Sequence, residues 1–131
     1  MFERDYIMRI LQNFFEDVAK IIHGKHRPND EQLEAFGDLY QNYLKNDRAY
    51  YYRTPSESLI VSFNNDPDGM YKAEMLAILL YHDAFLQKEE AIRKALLEKS
   101  LALLRYVDAQ SKVFSPERKK MIEAIELGVT L

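Results

Sequence analysis

The chain has 131 residues, 18 basic and 21 acidic, for a net charge of −3, and 47% of its residues are apolar. Four Gly, four Pro and no Cys support a packed core and exclude a disordered or collagenous chain, disulfides and thiolate chemistry. The acidic balance argues against nucleic acid as a partner, because domains of this size that grip phosphate backbones are normally basic.

The first predicted helix carries Ile7, Leu11, Phe14, Val18 and Ile21/Ile22 at steps of three and four, with Ile10 and Phe15 widening the stripe. Gly24 and Pro28 mark its end. A stripe this broad implies more than one neighbour, so Ile7, Leu11, Phe14, Phe15 and Val18 form a candidate self-association seam. The second helix is expected over Asp30 to Leu44, with Asn29 as N-cap, Gln32 completing a capping box, and Leu33, Phe36, Tyr40 and Leu44 on its apolar face. Asn46-Asp47 reads as a break, and pattern leaves Tyr50-Tyr51-Tyr52 open between helix and extended chain. Thr54-Pro55-Ser56-Glu57 is a start signal, with Thr54 as cap, and it tips Leu59 to Phe63 towards a short helix over a strand.

Asn64 to Gly69 is the concentrated turn cluster and divides the chain into halves. Its oxygens invite a calcium reading, but the twelfth position is Met75 where an EF-hand needs a bidentate Glu. A helix start capped by Asp66, with Pro67 in the first turn, is the better account. Met70 to Leu86 is then apolar nearly all round, which suits the middle of a bundle. A long helix follows from Glu89 to Ala109, and Ser115-Pro116-Glu117 opens a last one that Gly128 ends. The expectation is a single all-α domain over residues 1–131, a compact bundle of five or six helices arranged as helical hairpins.

No apolar run exceeds Met75 to Tyr81, far short of the roughly 18–20 residues that span a bilayer, so no membrane partner is expected. The acidic opening Met1 to Asp5 is unlike a signal peptide, which leaves the cytoplasm as the expected location. Residues 1–86 carry −5 and residues 87–131 carry +2, an offset ascribed to ordinary solvated helix faces.

His23, His26 and His82 are the candidate metal or proton-transfer groups, but no H-E-x-x-H spacing occurs and no set of ligands converges, so neither metal nor cofactor is expected. No nucleophile elbow and no phosphate-cradling glycine motif is present. The chemical oddity is aromatic. Tyr40, Tyr43, Tyr50, Tyr51, Tyr52 and Arg53 fall within 14 residues, and such side chains bury large rigid areas while keeping a polar end. With His82 they form the candidate binding surface. The expected function is a non-enzymatic protein-interaction or self-associating module, forming homo-oligomers. The alternative is a small-molecule binder or enzyme with a pocket near Tyr50–Arg53 and His82.

Two resemblances stand beside this reading. Met1-Phe2 and Asp5-Tyr6-Ile7-Met8-Arg9-Ile10 resemble the opening of an uncharacterised family of small all-helical bacterial proteins. Arg105-Tyr106-Val107-Asp108, Ser111 to Ser115 and Arg118 resemble its closing region. This implies a bacterial helical protein and assigns no functional residues. The pair Met70 to Leu86 and Glu89 to Ala109 is also similar to a tetratricopeptide-type hairpin, with Ala95 and Ala102 as its small packing residues. A single unit without the spaced Trp, Gly and Pro marks implies TPR-like packing and not a repeat array.

Overall fold

The computed structural model describes residues 2–24 and 29–130. Met1, His26 and Pro28, used above, lie outside them. Seven helices follow one another: α1 (Phe2–Ile22), α2 (Asn29–Leu44), α3 (Arg48–Arg53), α4 (Ser56–Asn64), α5 (Gly69–Leu86), α6 (Glu90–Gln110) and α7 (Pro116–Thr130). Among the described residues there is no strand, so the fold is all-α.

The expected five or six helices become seven because residues 48–64 split into two. Asp47 caps the first piece, its carboxylate accepting from the Tyr50 N–H at 2.9 Å. Thr54 closes that piece and does not open the next, since its hydroxyl donates to the Tyr50 carbonyl at 2.6 Å. The Tyr triplet is therefore helical, and Leu59 to Phe63 lies in α4. Two further start and stop signals act differently from expectation. Asp66 and Pro67 precede α5, where the Asp66 carboxylate accepts from the Asp68 N–H at 2.8 Å and pairs with Lys72 at 2.6 Å. Gly128 sits inside α7, which continues to Thr130.

The α5 helix is the hub. It packs along α6 and also meets α2, α4 and α1, while α7 lies on α6. Leu76, Ala77, Leu79 and Leu80 are inaccessible to solvent, as an all-round apolar helix requires. Small groups bring α5 and α6 together at Ala77 and Ser100, where the buried Ser100 hydroxyl donates to the Ala77 carbonyl at 2.7 Å. Ala95, by contrast, is exposed. The α4–α5 turn needs Gly69, because a Cβ there would lie 1.7 Å from the Phe63 carbonyl oxygen.

The α1 stripe is used inside the chain. Ile7, Leu11, Phe14 and Val18 join the core, with Phe14 fully buried, and of the five seam residues only Phe15 stays exposed, at 47%. Burying four such side chains removes most of the driving force that a second copy would have gained from them.

Candidate functional site

Asp83 is the one carboxylate on the buried helix α5 that solvent does not reach. A buried carboxylate must be paired and hydrogen-bonded, and three elements supply its partners. Tyr40 on α2 and Tyr52 on α3 donate their hydroxyls to Oδ2 at 2.5 Å and 2.7 Å. Arg48, at the start of α3, donates from Nε to Oδ2 at 3.1 Å and from Nη2 to Oδ1 at 3.2 Å, a two-pronged fit. The same Nη2 donates to the Leu33 carbonyl of α2. Gly37 makes room for this guanidinium, since a Cβ would stand 3.0 Å from Arg48 Nη1.

Burial pushes the Asp83 carboxyl up, opposed by Arg48 and the two phenols. Burial also raises the Tyr40 and Tyr52 hydroxyls, and the adjacent carboxylate adds to it, so both remain donors. Within this cluster both carboxylate oxygens, both phenols and the Nε and Nη2 of Arg48 have partners inside the chain. Its chemistry is structural: it locks α2, α3 and α5 together.

The remaining aromatic candidates disperse. Tyr51 is buried and donates to the Leu44 carbonyl at 2.5 Å. Tyr43 donates to Asp17 at 2.5 Å and sets its ring edge-on to Phe14. Tyr50 is half-buried, and the exposed Arg53 guanidinium lies 5.9 Å from its ring centre. Lys99 of α6 closes the carboxyl end of α3, its ammonium donating to the carbonyls of Tyr51, Tyr52 and Thr54 at 2.8, 2.6 and 2.7 Å.

His82 parts company with the tyrosines. It stacks parallel on Phe36 at 5.6 Å and meets Tyr81 edge-on at 5.3 Å. Burial lowers it to about 4, so the imidazole is neutral at pH 7 and offers one N–H and one bare nitrogen. No hydrogen-bond partner for either nitrogen occurs among the described residues. The side chain lines a cleft of about 490 Å³ between α1 and α7, none of whose walls comes from Tyr50–Arg53. Thus His82 and the Tyr50–Arg53 segment do not share this pocket.

The cleft is lined by α1 and α7 at its sides and by α5 and α6 beneath. Phe15 and Val18 form one wall, Met121 the other, and Ile78 and Leu104 the floor. At one end stands Arg118, 6% exposed, with all three nitrogens engaged: Nε with Asp108 at 3.0 Å, Nη1 with Glu74 at 2.8 Å, Nη2 with the Val113 carbonyl at 3.0 Å. Asp108 also pairs with Lys119, and these cations hold its carboxyl below the usual range. Ser115 opens α7 by accepting from the Arg118 N–H at 3.2 Å. Val113 and Phe114, in the loop just before, are 72% and 70% exposed.

Arg48, Asp83 and Lys99 were not singled out by sequence pattern, and Arg118 entered only with the closing-region resemblance. For Asp83 a signal existed: a carboxylate within the apolar run of α5 demands a buried cationic or donor partner. No cluster of three or more His, Cys, Asp or Glu able to hold a metal occurs among the described residues. Among the described residues no helix is long and apolar enough to cross a membrane. No family model, no curated protein and no solved structure matches the chain.

Proposed function

We propose that the protein is a non-enzymatic binding module whose site is the cleft between α1 and α7. The observation that carries this reading is the pairing of that apolar-walled cavity with a half-buried, unbonded imidazole. A volume of about 490 Å³ falls within the span of small-ligand sites, and such sites combine apolar walls with a few polar groups. Binding is favoured over catalysis because two charged groups of the wall, Glu74 and Arg118, are locked to each other, Glu117 stands exposed, and His82 is set among rings.

The test is a neutral, apolar fluorescent dye. One dye should bind per chain, and Met121→Trp, which fills the cleft from a half-buried position, should abolish binding while leaving helical circular dichroism and Tm close to native. Undiminished binding to the filled variant removes the proposal.

A second reading has its own support. Met8, Phe15 and Ile22 are exposed at intervals of seven along α1, a stripe suited to a protein partner or a second copy. On this reading the protein is a cytoplasmic, bacterial homodimer whose α5–α6 hairpin packs in the tetratricopeptide manner. Light scattering should give a dimer mass that Phe15→Glu reduces to a monomer; a monomeric native protein defeats it.

A further inference from the structure

The cleft has a long axis and its two ends differ. Glu74 and His82, both in its lining, stand eight residues apart on α5, about 12 Å at 1.5 Å per residue. Between them the surface is carbon: Ile78 and Leu104 below, Phe15, Val18 and Met121 at the sides. The α7 end contributes the carboxylates of Glu74 and Glu117 and the guanidinium of Arg118, a formal excess of one negative charge.

Arg118 is already counted in that balance. Each of its three nitrogens already serves an acceptor, Asp108, Glu74 or the Val113 carbonyl, and the side chain is only 6% exposed, so it is poorly placed to receive an incoming anion. Glu117 is exposed, in the first turn of α7, and no ion pair of its own is present among the described residues. The opposite end holds the imidazole of His82, a neutral group with one donor and one acceptor position.

We propose that the cleft takes an elongated amphiphile, its cationic head beside Glu117 and Glu74, its hydrocarbon chain over Ile78 and Leu104, and an uncharged hydroxyl or amide at its far end hydrogen-bonded to His82. This rests on the reading of the cleft as a binding site and adds the chemical class of its ligand. The hydrocarbon supplies the affinity through burial. The ends supply discrimination, against anions at the mouth and against plain alkyl chains at the base.

Calorimetric titration of the intact chain in low-salt buffer at pH 7 tests it with three linear probes below their micellar concentrations: decylammonium, decanoate and ω-hydroxydecylammonium. Decylammonium should bind one to one, about tenfold more tightly than decanoate, with the ratio shrinking on adding salt. Glu117→Gln, an exposed change that leaves the fold alone, should bring the two probes within about threefold. The terminal hydroxyl should improve affinity about threefold or more over decylammonium, and His82→Phe should erase that gain. Decanoate binding as tightly as decylammonium, or a hydroxyl without benefit in the native protein, overturns the proposal. Failure of all three probes while the neutral dye still binds and Met121→Trp still blocks it overturns the ligand class alone. Failure of dye and probes together overturns the binding site as well.

Discussion

His82 and Asp83 are consecutive residues on one helix, and both touch α2, yet they belong to two different regions of the molecule. A helix turns about 100° per residue, so Asp83 faces α2 and α3 while His82 reaches the cleft beside α1 and α7. Around Asp83 both carboxylate oxygens and both phenols are matched inside the chain. Around His82 the carbon walls are complete but the polar group is unmatched. The comparison teaches that a concentration of polar and aromatic residues is not by itself a site: Tyr40, Arg48, Tyr52 and Asp83 stand together and bond to one another. What marks a site is valence left over.

The largest expected effect lies on the buried side of α1. Phe14→Glu should unfold the protein: losing the ring alone costs about 3–5 kcal/mol, and the carboxylate adds its desolvation. Phe15→Glu, one residue along and exposed, should change stability by no more than about 0.5 kcal/mol. Urea denaturation monitored by circular dichroism measures both, and equal effects would erase the distinction between the covered and uncovered faces of α1.

Next comes the closed cluster. Asp83→Ala leaves the partly buried guanidinium of Arg48 without its carboxylate and two phenols without an acceptor. A loss of about 3–5 kcal/mol is expected. A loss under 1 kcal/mol would show that the cluster fills space and does not lock three helices.

The smallest effect is conditional on pH and belongs to the open side. His82 is lowered in the folded chain from about 6.5 to about 4, so between these values the unfolded chain binds the proton that the folded chain refuses. Stability that is complete above pH 6.5 is therefore lost as pH falls towards 4, by up to about 3 kcal/mol. His82→Phe should be nearly neutral at pH 7 and should flatten the acid side of the Tm profile. An unchanged profile would mean that the imidazole is solvated.

Much of the architecture was legible in the sequence because it depends on local rhythm. Steps of three and four delimited α1, α2, α5 and α6 to within a few residues at most ends, apart from the start of α1, and the all-round apolar character of residues 75–81 placed α5 in the middle. Capping was read less well, since a hydroxyl such as that of Thr54 can bond forwards or backwards and only tertiary context decides. The site was least legible. Tyr40 and Tyr52 meet Asp83 across 43 and 31 residues, and Glu74 meets Arg118 across 44. No short-range pattern encodes such meetings. Four of the five seam residues turn inward for a related reason: periodicity shows that a face is apolar, but not whether its own chain or a second one covers it.

The clasp of Lys99 on α3 has a temporal consequence. A six-residue helix has no independent existence in water, and the ammonium that closes this one lies 45 to 48 residues downstream of the carbonyls it holds. During synthesis the stretch around Tyr50 to Arg53 thus emerges long before its fastener, and it acquires its shape as a late guest of α6. Any truncated chain that stops short of Lys99 would carry this stretch as a ready target for proteases.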